Sequence, residues 1–390
     1  MENKMIFHGT GREFFGIWIV NIVLSVLTLG IYSAWAKVRT KKYFYGNTEL
    51  AGDRFDYHAT PKQILIGRAI AVAALVIWIV VGQFFPLFSG VLFLAGLLVL
   101  PWLARNNARF DARMTSYRNV RLNFTGSLHG AYAAILGRGA LIVLMFIALV
   151  AFATTQTNGF VIFVFILGGF IAGFVMFAWL MKGIASYFAN GYGYGRLSFQ
   201  AELSTGTYVR TYLGAMLLGF LVSIGTGILS AAVVAIAEFI FPIPLTLNDI
   251  DMENISISDL GGVLNLASVM ILTYATMFAS FLVVSAYVVS RTRNHVFSRM
   301  QVGETGDYHL KSEMRARGYA WLVVSNFFLQ LFTLGLARPW VKVRTTRYLL
   351  SVTTIHGDLD ALSVYEDENG AKSAVGDEMS QVFDLDIGIN

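Results

Sequence analysis

The chain has 390 residues, of which 56% are apolar and only 14% charged, with a mean hydropathy of +0.62; soluble domains carry roughly a quarter charged residues. The net charge of +5 would elsewhere suit nucleic acid, but the basic residues stand at the ends of long apolar runs. That placement marks a membrane protein with a basic inner side and argues against a nucleic-acid partner. With no cysteine, disulfides, thiolate catalysis and thiolate metal sites are excluded.

Residues 4–11 read as a short extended piece, followed by a charge-free segment at 14–36 that ends in a basic strip and not in a leader-type cleavage site. Residues 37–68 form a basic connection with two strand signals, Tyr43-Phe44-Tyr45-Gly46-Asn47 and Gly52-Asp53-Arg54-Phe55-Asp56-Tyr57. The stretches 69–101, 139–181 and 211–290 contain no Lys or Arg. The first, taken with its apolar flanks as 64–104, and each of the other two are long enough for two helices of about 20 residues, the length that crosses hydrocarbon. Pro86 marks the first turn, residues 154–159 the second and the acidic residues 242–262 the third. The basic connections between them carry strand-like pieces at 120–124 and 196–199, and Gly191-Tyr192-Gly193-Tyr194-Gly195 reads as a turn. A final apolar segment covers 319–337, and the tail from 356 holds nine acidic residues against one Lys. Residues 361–390 therefore read as an acidic, disordered tail.

The fold class expected is an α-helical polytopic membrane protein: about six spanning helices as three hairpins, two terminal segments that are re-entrant or single spans, and short cytoplasmic β pieces. One unit recurs, a Gly-containing strand piece leading into an apolar segment that exits through an aromatic into Lys or Arg. This divides the membrane domain 1–360 at approximately 6–50, 51–120, 121–197, 198–302 and 303–360. The two end units match best: Thr28-Leu29-Gly30-Ile31-Tyr32-Ser33-Ala34-Trp35-Ala36-Lys37-Val38-Arg39 returns as Thr333-Leu334-Gly335-Leu336-Ala337-Arg338-Pro339-Trp340-Val341-Lys342-Val343-Arg344.

That phrase, with Phe7-His8-Gly9 before it and Tyr57-His58-Ala59-Thr60-Pro61 after it, resembles the signature of the YjgN family of bacterial inner-membrane proteins. The resemblance covers residues 6 to about 360. It implies an inner-membrane location and hints at an envelope metallopeptidase as partner, but the family is classed as a domain of unknown function and transfers no catalytic residue. Ala34 stands where the family phrase has Pro, as Pro339 does in the second copy.

No nucleophile elbow, Walker loop or HExxH pair is present, so no catalytic residue, metal ligand or cofactor is assigned. The histidines of the matched triplets Asp56-Tyr57-His58 and Asp307-Tyr308-His309 read as surface side chains on short strands, placed equivalently. The candidate intramembrane polar centre is Asn21, Ser25, Ser325, Asn326 and Glu238. Intramembrane polar groups are functional candidates by default, although helix–helix hydrogen bonds explain matched Asn residues as well. If both end segments are re-entrant, the chain would turn at Asn21 and Ser25, and at Ser325 and Asn326. Such turns keep all basic strips on one side.

The candidate headgroup or anion contacts are Trp35, Lys37, Arg39, Trp102, Arg105, Arg109, Trp179, Lys182, Arg291, Trp340, Lys342 and Arg344. Their partners would be the anionic headgroups of membrane lipids at the cytoplasmic face. Two functions follow: transport, permeation or lipid handling around a polar centre, or a non-transporting scaffold assembling with an envelope protein or a second copy of the chain.

Overall fold

The computed structural model describes residues 1–240, 257–303 and 308–359. Its frame comes from short runs in which polar and apolar side chains alternate. Five such runs are β1 (Glu2–Phe7), β3 (Asp53–Tyr57), β5 (Val120–Phe124), β7 (Leu197–Ala201) and β9 (Tyr308–Ser312). Each ends on a buried residue, and every second residue before it is at least half-covered. Between them stand the shorter β2 (Thr48–Leu50), β4 (Thr115–Tyr117), β6 (Tyr192–Tyr194), β8 (Met300–Val302) and β10 (Thr353–His356).

The ten strands pair antiparallel into one closed barrel, in the order β1-β10-β9-β8-β7-β6-β5-β4-β3-β2. Closure joins the two ends of the chain, Glu2 facing His356 and Lys4 facing Thr354. Lone hairpins of three to five residues are marginal in water, and closure removes their open edges. Positive φ at Ala51 and Gly52, and at Arg118 and Asn119, gives the tight two-residue turns that match strand twist. Lys4, Arg54, Asp56, Arg121, His309 and Lys311 point outward, whereas Met5, Phe55, Leu122 and Phe199 point in. The barrel is thus polar outside and apolar inside, the reverse of a barrel that faces lipid.

The helices occupy the intervals between odd and even strands. They are α1 (Gly11–Leu27), α2 (Ser33–Gly46), α3 (Pro61–Phe84), α4 (Pro86–Met114), α5 (Leu128–Tyr132), α6 (Arg138–Thr155), α7 (Gly159–Ala189), α8 (Thr205–Ile240), α9 (Ile257–Ser298), α10 (Ala316–Phe332) and α11 (Arg338–Ser351), with a π turn at Ala133–Gly137 joining α5 to α6. Among the described residues six helical spans are long and apolar enough to cross a membrane: Pro61–Phe84, Pro86–Met114, Leu128–Thr155, Gly159–Ala189, Thr205–Val233 and Met270–Ser298. Along these windows no more than 17% of residues are buried within the protein, so their apolar faces are left to an apolar surrounding.

Helix starts follow from the strand ends. Thr10 accepts from Glu13 N–H at 3.3 Å, Ser127 accepts from Gly130 N–H at 3.0 Å, and Gln63 Oε1 accepts from Thr60 N–H at 3.0 Å. Gly9 and Gly126 sit at equivalent strand-to-helix crossings. A Cβ on Gly9 would lie 2.6 Å from the Phe7 ring and 2.9 Å from Tyr43 Oη; one on Gly126 would lie 2.6 Å from Phe124 and 2.9 Å from Tyr187 Oη.

Several expectations are corrected. The residues Tyr43–Gly46 finish helix α2 and are not a strand, and Tyr192–Tyr194 form β6 where a turn was expected. The basic connections are in large part helical ends: α4, α7 and α9 run on to Met114, Ala189 and Ser298. A helix satisfies its own backbone and has no reason to stop where apolar residues do. The two triplets are not equivalent either. Tyr57 is the last, fully buried residue of β3, whereas Tyr308 is the first residue of β9. Asp307 lies outside the described residues, as do residues 241–256 of the acidic loop and 360–390 of the tail.

By contacts the chain divides into two units. The first, residues 1–209, 292–314 and 336–390, contains the whole barrel, α1 to α7, α11 and the last turns of α9. In it α1 packs on α2 and α11, α3 on α4, and α6 on α7. The second, residues 210–291 and 315–335, contains the bodies of α8 and α9 and helix α10. There Phe278 of α9 meets Phe327 of α10 with ring centroids 4.9 Å apart.

Candidate functional site

Within the first unit the barrel's helix-side mouth is a chamber of about 590 Å³. Its floor is Met5, Phe55 and Leu122 with Thr48, Thr115, Tyr192 and Thr353, all from strands. Its walls are the last turns of α2, α4, α7 and α9 and most of α11, the second helix of each pair. Helical spacing selects the wall residues. On α4, Asn107, Ala108, Asp111 and Ala112 face the chamber, while Arg105, Arg109 and Arg113 follow another row of the same helix. On α11, Lys342, Thr345, Thr346, Leu349 and Leu350 face it.

Among the described residues three cationic side chains line the chamber, Lys41, Arg293 and Lys342, against one carboxylate, Asp111. Lys41 Nζ stands 2.6 Å from Asp111 Oδ1 and 5.1 Å from the Tyr57 ring centroid. Burial opposes the Lys41 charge, but Asp111, and behind it Tyr57 and Tyr45, outweigh burial and raise its pKa above the ordinary lysine value. Arg293 is buried; it donates to Thr353 Oγ1 at 3.0 Å and lies 4.2 Å from the Phe297 ring. Lys342 lies 5.0 Å from the ring of Phe44, across from α11 on α2. Burial, with Asp111 and Tyr45 adding to it, keeps the Tyr192 hydroxyl protonated above the usual tyrosine range. Asn107 is 6% exposed and its Oδ1 has no hydrogen-bond partner among the described residues.

The far end of the barrel is filled. Leu50, Tyr117, Tyr194 and Leu359 form a buried cluster there. Tyr194 donates to Tyr117 O at 2.8 Å and Tyr117 to Leu50 O at 2.8 Å. Leu359 follows β10 and is held by Arg118, which donates to its carbonyl and, at 2.5 Å, to Asp53. Tyr308 donates to Asp358 O at 3.1 Å.

A smaller cavity of about 390 Å³ lies beside α5 and α7, lined by Gly126, Ser127, Gly130, Arg138 and Tyr187 among others. Arg138 there donates to Trp179 O at 3.0 Å and lies 4.5 Å from the Trp179 ring.

The predicted polar centre is placed differently from expectation. Asn21 and Asn326 are buried inside α1 and α10 and do not sit at turns. Asn21 Nδ2 donates to Ala36 O at 3.4 Å, Ser325 Oγ donates to Leu322 O at 3.1 Å, and Ser25 supplies a carbonyl to Gly30 N–H at 2.7 Å. The side chain of Glu238 lies outside the described residues. The turns come later, at the Thr-Leu-Gly triplets. Leu29 and Gly30 have φ of 50° and 91°, Leu334 and Gly335 of 50° and 85°. Thr28 and Thr333 each donate their hydroxyl to the carbonyl four residues back at 2.7 Å. Gly30 N–H and Gly335 N–H each reach the carbonyl five residues back, 2.7 and 2.8 Å away, which ends a helix in the left-handed manner that glycine favours. Ala34 and Pro339 both take the second position of the next helix and both are buried, so the missing proline leaves the turn unchanged.

Of the predicted anion contacts, Lys342 alone lines the chamber. Trp35 stacks on Tyr32 at 6.1 Å, Trp340 lies 5.2 Å from Phe15, and Arg105 donates to Gly126 O at 2.7 Å. Arg291, in the second unit, lies 5.6 Å from the Tyr287 ring. Lys37, Trp102, Arg109, Trp179 and Lys182 are half-buried, and Arg39 and Arg344 are exposed. Sequence reasoning did not single out Asn107, Asp111 and Arg293. The signal for the first two was the lone carboxylate of the strip 105–113, four residues after an Asn, on a row free of arginine.

The chain is 27% identical over 389 residues to "Inner membrane protein YjgN" of Salmonella typhimurium, covering 94% of this chain and 92% of that protein. It is 26% identical to the proteins of that name from Escherichia coli O157:H7 and K12, with the same coverage. No solved structure matches it. Residues 2–382 match the family described as "Bacterial protein of unknown function (DUF898)", and the chain belongs to that family.

Proposed function

We propose that the protein is a multi-pass inner-membrane protein that handles anionic amphiphiles, with the barrel in the cytoplasm and the chamber as the site for the ligand's charged end. The observation that carries this reading is the composition of the chamber. Three cations and one carboxylate stand on walls that are otherwise mostly apolar and aromatic, and the volume falls in the roughly 300–1,000 Å³ range of small-molecule sites. The names of the relatives support the location, and the outward polarity of the barrel supports its placement in water. The basic helix ends next to it support the cytoplasmic side. In this reading the five strand–helix pair–strand segments are repeats of one unit. The end turns, whose tips Leu29 and Leu334 are 95% and 92% exposed, dip into hydrocarbon and return.

Lipid handling is favoured over permeation by two features of the first unit. The far end of the barrel is packed with side chains among the described residues. Among the described residues the hairpins α3–α4 and α6–α7 are packed within themselves, without extensive contact between their membrane-length parts. The space beside them suits acyl chains.

Native mass spectrometry of the detergent-purified protein tests the reading. Anionic phospholipid should co-purify, and the pair Lys342→Ala and Arg293→Gln should lower its occupancy several-fold. A wild-type protein free of anionic lipid, or an unchanged occupancy in the variant, would refute it. Topology is tested separately on the natively cysteine-free chain. A Lys311→Cys variant should resist a membrane-impermeant maleimide added to intact cells.

A further inference from the structure

We infer that the ligand of the chamber carries, a few bonds from its anionic group, a hydrogen-bond donor: the chemistry of a phosphodiester bearing a hydroxyl group. This rests on the chamber being the anion site proposed above, and adds which headgroup it selects. The warrant is Asn107. Its side chain is buried, lines the chamber, and holds an Oδ1 with no partner among the described residues. Buried amide oxygens are nearly always satisfied, and leaving one unmade is costly. An acceptor kept in that condition at a cavity wall is accounted for by a donor that arrives with the ligand.

The surroundings fix what else the ligand brings. Asn107 is one helical turn from Asp111, whose carboxylate is engaged by Lys41 at 2.6 Å. That part of the wall therefore has no cation left over to attract the phosphate. Arg293 on α9 and Lys342 on α11 supply the cationic part of the lining from other helices. The phosphate belongs with them and the hydroxyl with α4. A bare inorganic phosphate satisfies the cations, but its charge is set against the carboxylate side. A phosphodiester with a glycerol end satisfies both.

The test compares two lipids of equal charge in nanodiscs: phosphatidylglycerol, with hydroxyls, and phosphatidylmethanol, which has no donor. Binding by native mass spectrometry should favour phosphatidylglycerol about tenfold in the wild type, as one buried hydrogen bond supplies. In Asn107→Leu the two lipids should bind within about twofold. Thermal stabilisation of the wild type by each lipid gives the same comparison without a variant and stands if Asn107→Leu does not fold. Equal binding of the two lipids by the wild type, or a preference that survives Asn107→Leu, overturns this inference and leaves the anion site intact. Binding of neither lipid overturns both. Soluble glycerophosphoglycerol, a phosphodiester with hydroxyls and no acyl chains, added as competitor, separates the sources. Displacement of phosphatidylglycerol at equimolar concentration would assign the site to a free phosphoglycerol, and no displacement assigns it to lipid.

Discussion

The barrel with its collar of helix ends and the hairpin pair α6–α7 are built from one chain by opposite means. In the collar, Tyr57, Phe110, Ala34, Val38 and Ile64 form a core with at most 6% exposure. On α6, by contrast, Leu141, Val143, Leu144, Ile147 and Val150 are 50% to 61% exposed. The collar is held by packing, which opposes the loss of any atom. The hairpins are held by an apolar surrounding that replaces a lost side chain at little cost, because lipid tails are as apolar as Leu. The difference places the chamber on the rigid region, where a few side chains can be held in fixed relation.

Truncation should expose this contrast most strongly. Phe110→Ala should cost about 3–5 kcal/mol, the range of a fully buried aromatic, read as a loss of thermal stability in detergent. Leu144→Ala on α6 should stay within about 1 kcal/mol, since little protein surrounds it. Equal losses would break the comparison.

The ion pair of the chamber sharpens it. Lys41 and Asp111 side chains are 21% and 24% exposed, so breaking the pair should cost about 2 kcal/mol, less than the roughly 3–5 of a fully buried one. Lys41→Met is the single variant, and adding Asp111→Leu should recover most of the loss in a denaturation series. A double variant no better than the single would show that the loss was packing.

Glycines give a smaller contrast of sign. Gly126→Ala places a Cβ 2.6 Å from the Phe124 ring and should destabilise by about 1–2 kcal/mol. At Gly168, within the apolar run of α7, a Cβ meets nothing within 4 Å. Gly168→Ala should be neutral or stabilise by up to about 1 kcal/mol through helix propensity. A destabilised Gly168→Ala would break this contrast.

The smallest effect is alkaline. Burial first, and the neighbouring Tyr117 next, push the Tyr194 phenol up to about 12. Its neutral form is the one that donates to Tyr117 O. A group whose folded pKa is raised contributes stability that is complete below its unfolded value, about 10 for tyrosine. That contribution should fade as pH rises from about 10 through 12. Tyr194→Phe should flatten this part of the stability profile.

The membrane helices were legible because hydropathy sums over some 20 residues, and a few misplaced ones do not change the sum. Strand pieces such as Val120–Phe124 were legible by alternation. Tyr43–Gly46 misled because its aromatic residues suit a strand as well as the collar, and only contact with Phe7 and Phe14 shows which they serve. The polar centre misled for a related reason. A polar residue inside an apolar run suggests a turn, yet a helix holds Asn21 easily when Ala36 O stands opposite. The turn lies where backbone geometry demands glycine, at Gly30 and Gly335.

Composition and hydropathy by themselves determined that this chain lives in a membrane, with its charge gathered at helix ends and with matched phrases at 28–39 and 333–344. These are local quantities, readable one segment at a time. Closure of ten short strands into a barrel, and the meeting of Lys41, Asn107, Asp111, Arg293 and Lys342 in one chamber, were decided by the tertiary structure alone. Pairing between strands as distant as β1 and β10 depends on contacts more than 350 residues apart, and no local pattern records which edges will meet.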